Sequence, residues 1–448
     1  MNISKKFCGV AGATALSLFT ALPAWAQDAA AAAPIPDKGD TAWMMVATIL
    51  VLAMILPGLA LFYGGLVRTK NMLSVMTQIG AVACLAMLVW VTYGYSLTFG
   101  PDTSDGLKPF IASLGKLFLS GITPDSTAAT FTDGVVIPEY VFVSFQMTFA
   151  AITIALVLGS VVERIKFSAV MVFALVWLTI VYFPIAHMVW AAGGLFFEMG
   201  ALDFAGGTVV HINAGVSALV ACIILGKRMG FPKEPMPPHS LTLTIVGTGL
   251  LWVGWFGFNA GSALEANGSA ALAMINTFVA TASAALVWMI AERVAGHKAS
   301  ALGFCSGVIA GLVAVTPAAG NSGPFGAIVL GAVASAICFL AVTVIKPKLG
   351  YDDSLDAFGI HGIGGMVGAI GTAIVYAPSL GGPGGADYAM GGQLVTQILA
   401  TATTIVWASV GTVIAISIAR AVTGLRVSQE VEFEGLDLGE HGERAYNY

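Results

Sequence analysis

Long runs of apolar residues without a charged side chain recur from Met44 to Ala419. They show no polar face of the kind that a helix on a soluble protein turns toward water. A helix of about 20 apolar residues spans a lipid bilayer. Breaking the chain at charged, proline and glycine clusters predicts eleven such helices, over residues 42–66, 72–98, 139–161, 167–189, 205–226, 240–263, 268–291, 299–316, 324–345, 357–378 and 389–420. The pattern therefore predicts an all-α integral membrane protein.

The composition agrees with this prediction. Of the 448 residues, 57% are hydrophobic and only 10% are charged, whereas a soluble domain carries about 25% charged residues. The 54 glycines favour close helix contacts, because small residues let helix backbones approach each other in lipid. A soluble globular protein is thereby excluded.

The distribution of basic residues predicts the orientation. Eleven helices place 14 lysines and arginines in the connections and tail of one face and only Lys38, Lys108 and Lys116 on the other. Basic residues accumulate on the cytoplasmic side. We therefore expect the N-terminus of the mature chain outside, the C-terminus inside, and a location in a bacterial inner membrane.

The first 26 residues have the pattern of a cleaved signal peptide. Lys5 and Lys6 precede an apolar stretch, and Ala24-Trp25-Ala26 is an A-x-A cleavage signal. A further transmembrane helix is the alternative, although the apolar stretch is short for one. We expect a transmembrane domain over residues 27–420 and a cytoplasmic tail over residues 421–448.

Two of the predicted helices begin alike. The fifth starts at Asp203 and reaches His211, and the tenth starts at Asp356 and reaches His361; glycines follow both histidines. They lie five helices apart in the chain, and because five is an odd number the second copy would be inverted relative to the first. We predict an inverted repeat of helices 1–5 and 6–10 plus a peripheral eleventh helix. Chance similarity between glycine-rich helices is the alternative, since the acid-to-histidine spacings are eight and five residues.

His211 and His361 are the two candidate histidines within the membrane. Ionisable side chains at such depth are costly and are usually functional. A neutral imidazole offers one hydrogen-bond donor and one acceptor, so two of them could line a path for a small polar molecule. Two structural histidines bonded to backbone or to serine or threonine hydroxyls are the alternative.

Aromatic residues gather near the outer ends of three helices. They are Phe145 and Phe149 on helix 3, Trp190 on helix 4, and Trp255 and Phe258 on helix 6, which is followed by Ser262. Such rings around a hydroxyl can bind a small cation by cation–π attraction, or they can form the aromatic belt of a membrane protein. Asp203, at the start of helix 5, is expected to cap that helix.

These segments resemble the ammonium transporter (Amt/Mep/Rh) family, and its bacterial Amt branch in particular. The resemblance covers essentially the whole mature chain. The matching segments are DFAGGTVVHINAG at residues 203–215, PGLALFYGGL at 57–66, PIAHMVW at 184–190, GWFGFNAGS at 254–262 and FGIHGIG at 358–364.

The resemblance implies a role for each candidate residue. An outer ammonium site would consist of Trp190, Ser262, Phe145 and Phe149; the pore gate would be Phe149 and Phe258; the pore lining would be His211 and His361; and Asp203 would act structurally and electrostatically. No catalytic residue, metal or cofactor is implied, and nothing in the sequence indicates an enzyme or a nucleic-acid partner.

The resemblance also implies a homotrimer with one pore per subunit, in which ammonium is recruited, deprotonated and conducted as ammonia, with or without the proton. Residues 434–437 and 441–447 resemble the Amt tail, which implies a PII signal-transduction protein as a cytoplasmic partner. An ammonium sensor that signals through such a partner is the alternative function. A sodium-coupled transporter of another solute is less consistent with the sequence, since no polar midplane cluster indicates broken helices.

Overall fold

The computed structural model describes residues 34–447, and over that range eleven helices are long and apolar enough to cross a membrane, as predicted. They are α1 (Lys38–Leu66), α2 (Thr69–Phe99), α3 (Glu139–Leu158), α4 (Phe167–Glu198), α5 (Gly207–Leu225), α6 (Leu241–Gly261), α7 (Gly268–Val294), α8 (Ala301–Ala318), α9 (Pro324–Leu349), α10 (Phe358–Val375) and α11 (Met390–Thr423). The predicted signal peptide, residues 1–26, lies outside the described residues.

Successive helices run in opposite directions, so their connections alternate between two faces. One face contains the connection of residues 100–138 and the end of the helical segment Phe183–Trp190 within α4. We call it the Trp190 face. That connection contains an antiparallel hairpin of β1 (Thr127–Ala129) and β2 (Val136–Pro138). The tail face carries the C-terminal segment with α12 (Gln429–Glu434) and α13 (Leu436–His441).

Burial separates central helices from peripheral ones. In α3, α5 and α8, 78% of the most apolar 18-residue stretch is buried, against 33% in α11. Helix α11 packs on α4, α5 and α10 along one side only. It is therefore the peripheral eleventh helix, which belongs to neither half of the inverted repeat.

Helices that are equivalent under the repeat meet each other, α1 with α6 and α5 with α10. Glycines allow both contacts. A Cβ atom on Gly215 in α5 would lie 2.1 Å from the backbone nitrogen of Gly362 in α10, and one on Gly247 in α6 would lie 2.3 Å from that of Phe62 in α1. Since real side chains never approach so closely, only glycine fits at these two crossings.

A buried ionic cluster joins four connections on the tail face and the start of α2. The Glu163 carboxylate accepts hydrogen bonds from Arg68 Nε at 3.0 Å, Arg228 Nη1 at 2.6 Å and Asn71 Nδ2 at 2.9 Å. Arg228 also binds Asp352 at 2.7 Å. Burial acts to raise the pKa of Glu163, but the two arginines outweigh it and lower the pKa to about 2. The carboxylate is therefore charged at neutral pH.

The C-terminal segment is bonded to the same face. The Ser74 backbone N–H donates to Asp437 Oδ1 at 2.7 Å, and the Leu436 N–H donates to Asn71 Oδ1 at 2.9 Å. The Met229 N–H donates to Glu432 Oε1 at 2.7 Å. Residues after α11 are thus part of the folded unit.

Candidate functional site

Asp203 caps the start of α5, as the sequence predicts. Its Oδ1 accepts from the Gly206 N–H at 3.1 Å, and its Oδ2 accepts from the N–H groups of Thr208 at 3.0 Å and Val209 at 3.1 Å. The first turn of α5 is a π-helical segment, Gly207–Ile212, which contains His211. π-Helical turns are common at functional sites, and this one is fixed at its open end by the carboxylate.

Helix α10 begins in the same way, but the aspartate that caps it is Asp353. Its Oδ1 accepts from the Ala357 N–H at 3.1 Å and its Oδ2 from the Phe358 N–H at 2.8 Å. The next turn, Phe358–Gly362, is again π-helical and contains His361. The prediction that Asp356 is the counterpart of Asp203 is wrong, because Asp356 forms an ion pair with Lys346 instead.

This correction strengthens the inverted repeat. Asp353 precedes His361 by eight residues, the same spacing as from Asp203 to His211. The two aspartates approach from opposite faces of the bundle. Burial raises the pKa of each carboxyl group to about 6. Hydrogen bonds from backbone N–H groups oppose this rise at both aspartates, and the positive charge of Lys346 also opposes it at Asp353. The equal spacing is present in the sequence, but a second acidic residue, Asp356, lies nearer His361 and hides it.

The two histidines meet in the interior. Their Nδ1 atoms are 3.3 Å apart and their ring centroids 5.3 Å apart. Only 1% of His211 and 4% of His361 is exposed. One Nδ1 must donate the shared proton and the other accept it. His211 Nε2 is buried and has no hydrogen-bond partner within residues 34–447, so it is available to a molecule in the passage.

A column of aromatic rings connects Trp190 to His211. Trp190 lies edge-on to Phe149 at 5.6 Å, Phe149 stacks on Phe258 at 4.2 Å, and Phe258 lies 6.0 Å from His211, measured between ring centroids. Phe145 lies beside Phe149 at 4.9 Å. The structure thus brings together the aromatic residues that the sequence assigned to an outer site and a gate.

Polar contacts orient the top of the column. Trp190 Nε1 donates to the Asp203 carbonyl oxygen at 2.9 Å, and Ser262 Oγ donates to the Phe258 carbonyl oxygen at 2.8 Å. Because that hydroxyl proton is already used, the Ser262 oxygen remains as an acceptor. An acceptor beside the partly exposed Trp190 ring and the buried phenylalanine rings suits a small cation with N–H groups.

Trp255 does not belong to the outer group with which the sequence associated it. Its ring stacks on His211 at a centroid distance of 5.4 Å, and its Nε1 donates to Thr316 Oγ1 at 3.0 Å. It therefore holds the plane of the imidazole deep in the bundle. The i, i+3 spacing of Trp255 and Phe258 places both on one face of α6. The sequence did not show that Trp255 lies deep enough along this face to contact His211.

Two cavities adjoin the histidines. A small one of about 10 Å³ is lined by both histidines, Trp255, Phe258 and aliphatic side chains, and it is close to the least space that holds one water molecule. A larger one of about 700 Å³ begins at His361 and extends to Arg228, Lys346 and Asp356 on the tail face. The passage is thus narrow and mostly apolar at the histidines and wide beyond them.

Eleven apolar helices around a narrow, ring-lined passage define a membrane transport protein for a very small polar solute. A model of the Ammonium Transporter Family matches residues 42–446. The chain belongs to this family and, by its resemblance to bacterial relatives, to the Amt branch. Its relatives are transporters, which indicates a transport protein and not an enzyme.

Relatives and solved structures agree over nearly the whole chain. An ammonium transporter of Aquifex aeolicus is 48% identical over 412 residues, which cover 92% of this chain and 94% of the relative. One of Bacillus subtilis is 44% identical, with 92% and 99% covered. The crystal structure of Saccharomyces cerevisiae Mep2 is 35% identical with a TM-score of 0.79, and 88% of each chain is covered. A solved sensor Amt protein is 27% identical with a TM-score of 0.80, covering 90% of this chain and 98% of its own.

Proposed function

We propose that the chain takes up ammonium by binding NH4+ among Trp190, Ser262, Phe145 and Phe149, deprotonating it, and passing NH3 along His211 and His361. The observation that carries the proposal is the pair of buried imidazoles joined through Nδ1 at 3.3 Å. Each ring then has only Nε2 left for the substrate. One Nε2 donates and the other accepts, which matches the lone pair and the N–H groups of ammonia.

The outer site favours a cation. Aromatic faces attract NH4+ at distances up to about 6 Å, and the Ser262 oxygen accepts one of its N–H groups. Asp203 adds a negative charge near Trp190, whose indole N–H donates to the backbone carbonyl oxygen of the same aspartate. These contacts can replace part of the water shell of the ion.

Below Trp190 the ion cannot remain charged without cost. The rings of Phe149 and Phe258 stack across the passage, and the cavity below them is lined mostly by carbon. An unpaired ion in such surroundings costs several kcal/mol. Loss of the proton above the gate, followed by movement of neutral NH3, avoids this cost. Transfer of the proton along the imidazole pair would make the transport electrogenic.

The histidines are tested with His211→Ala and His361→Ala in proteoliposomes. We expect both variants to bind methylammonium at the outer site and to lose most of their uptake and current. Uptake and current equal to the wild type in both variants would remove the histidines from the mechanism. In the wild type, an ammonium pulse that alkalinises the lumen without a current would favour passage of NH3 alone.

We propose that the Trp190 face lies outside a bacterial inner membrane and the tail face inside it, after removal of residues 1–26. The excess of basic residues on the tail face supports this orientation. A reporter active only in the cytoplasm, fused after Tyr448, should be active, and one active only outside should not be.

We propose a homotrimer with one passage per subunit and a PII protein as a cytoplasmic partner. The bonded C-terminal segment, next to the opening of the large cavity, supports a partner site on the tail face. A trimer mass by light scattering, and retention of a purified PII protein that is lost after deletion of residues 428–448, would agree with this proposal.

An ammonium sensor is the second candidate, favoured by the likeness to the solved sensor Amt protein over 98% of that chain. Binding of ammonium without any flux in proteoliposomes would support the sensor and contradict the transporter.

A further inference from the structure

Glu265 lies in the short connection between α6 and α7, three residues after Ser262. The chain turns tightly there, with the Leu264 N–H bonded to the Gly261 carbonyl oxygen at 2.9 Å. Three residues span at most roughly 11 Å between Cα atoms. The Cα atom of Glu265 therefore lies within roughly 11 Å of that of Ser262, which together with Trp190 forms the outer end of the passage, called the mouth below.

Only neutral groups hold this carboxylate. Oε1 accepts from the Thr132 N–H at 3.2 Å, and Oε2 accepts from Thr132 Oγ1 and from Asn267 Nδ2, both at 3.0 Å. Only 5% of Glu265 is exposed. Within residues 34–447 no lysine, arginine or histidine forms an ion pair with it.

Of the three lysines on the Trp190 face, two are engaged elsewhere, and the third, Lys38 at the start of α1, forms no ion pair with Glu265 within residues 34–447. On the Trp190 face, Lys108 pairs with Asp102 at 2.8 Å and Lys116 pairs with Glu139. A second carboxylate, Asp40, lies beside Glu265 and accepts the Ala266 N–H at 2.7 Å. The rim of the mouth is therefore negative at this point.

Glu265 is ionised at neutral pH. Its burial acts to raise the pKa, but hydrogen bonds from Thr130, Thr132 and Asn267 outweigh it and hold the pKa below the usual glutamate value. A fixed charge at a partly enclosed mouth raises the local concentration of oppositely charged ions, and salt weakens this effect.

We propose that Glu265 is a further residue that sets the apparent affinity for the substrate: its charge concentrates ammonium at the mouth and lowers the concentration needed for half-maximal transport. This role rests on the proposed ammonium site at Trp190 and Ser262. It requires no contact between the carboxylate and the bound ion, since the interaction of two charges about 10 Å apart changes an equilibrium constant about two- to tenfold at low salt.

The test compares Glu265→Gln with the wild type in proteoliposomes, using methylammonium at ionic strengths of about 0.01 M and 0.5 M. At low salt we expect the half-saturating concentration to rise about two- to tenfold with the maximal flux unchanged. At high salt the two proteins should differ by less than about twofold. Glu265→Asp, which keeps the charge, should follow the wild type at both salt concentrations.

The matched control is Asp387→Asn, which removes one exposed carboxylate from the α10–α11 connection of the same face; it should have a smaller effect. A half-saturating concentration in Glu265→Gln equal to the wild type at low salt would overturn the proposal. So would an increase that is independent of salt and shared by Glu265→Asp, because that pattern indicates a structural role. Trp190→Ala in the same assay separates the two proposals: no increase there contradicts the ammonium site itself, whatever Glu265 does.

Discussion

Each imidazole of the pair uses Nδ1 for its neighbour, and this determines what remains for the substrate. The ring that donates through Nδ1 has an Nε2 that only accepts, and the ring that accepts through Nδ1 has an Nε2 that donates. Exchange of the two roles between neutral rings takes two proton movements: the shared proton crosses to the other Nδ1, and one Nε2 loses a proton while the other gains one. The pair therefore works in either of two equivalent states, and neither requires a charge on the rings.

At the residue scale, Trp190→Leu should raise the half-saturating methylammonium concentration. Cation–π attraction contributes about 0.5–2 kcal/mol, which corresponds to roughly a 2- to 30-fold increase. Trp407→Leu in α11 is the matched control, since that indole donates to the Ile180 carbonyl oxygen away from the passage. Equal half-saturating concentrations in the two variants, measured by radiotracer uptake, would contradict a cation site at Trp190.

Helices α5 and α10 use the same local design twice, an aspartate eight residues before a histidine in a π-helical first turn. The carboxylate holds N–H groups that would otherwise have no partner at the buried helix start. It thereby fixes the turn that carries the imidazole. The position of each histidine thus depends on an aspartate that does not touch it.

Asp353→Ala should destabilise the start of α10. It leaves the N–H groups of Ala357 and Phe358 without the carboxylate, and we expect the free energy of unfolding to fall by about 2–4 kcal/mol together with transport. Asp356→Ala removes only the partly exposed ion pair with Lys346 and should cost less than about 1 kcal/mol. Thermal unfolding in detergent distinguishes the two; equal losses would show that capping is not the cause.

The α5–α10 crossing gives a second prediction at this scale. In Gly215→Ala the added methyl group meets the backbone of Gly362, so we expect the unfolding free energy to fall by about 1–3 kcal/mol or more. In Gly249→Ala, where nothing lies within 4 Å, it should stay unchanged or rise slightly. A Gly215→Ala protein that melts with the wild type would contradict the close crossing.

At the scale of the whole molecule, the buried cluster at Glu163 joins connections that are far apart in sequence. It supports the surface on which the C-terminal segment lies, since Asn71 binds both Glu163 and the Leu436 N–H. Because its carboxylate has a pKa of about 2 in the folded protein, its contribution to stability depends on pH.

The sign of this dependence follows from the lowered pKa. The stabilisation, about 3 kcal/mol, is complete above the ordinary glutamate pKa of about 4.5 and is lost as the pH falls toward 2. Glu163→Gln should therefore melt well below the wild type at pH 7, and the difference should narrow between pH 5 and pH 3. A difference in melting temperature between the two proteins that stays constant from pH 5 to pH 3 would contradict the lowered pKa of Glu163.

The sequence was sufficient to predict the number of membrane helices, but it could not specify which side chains contact each other. Runs of apolar residues and the basic connections predicted eleven helices because the bilayer fixes both length and charge pattern. The contact of His211 with His361 was suggested by the repeat, but the choice of Asp356 over Asp353 shows the limit. Which acid caps a helix depends on the backbone path before α10, and no local pattern specifies that path. The ion pairs of Glu163 were likewise invisible, since their members lie on separate connections.

The inverted repeat has a consequence for how the chain can change in length. Because each half has an odd number of helices, the two aspartates approach from opposite faces. Removing or adding a single helix between the two aspartates, within α6–α9, would bring both to the same side. Insertions or losses there must therefore come as pairs of helices, whereas a helix gained or lost before Asp203, or α11 after both halves, does not change which faces the two aspartates approach from relative to each other.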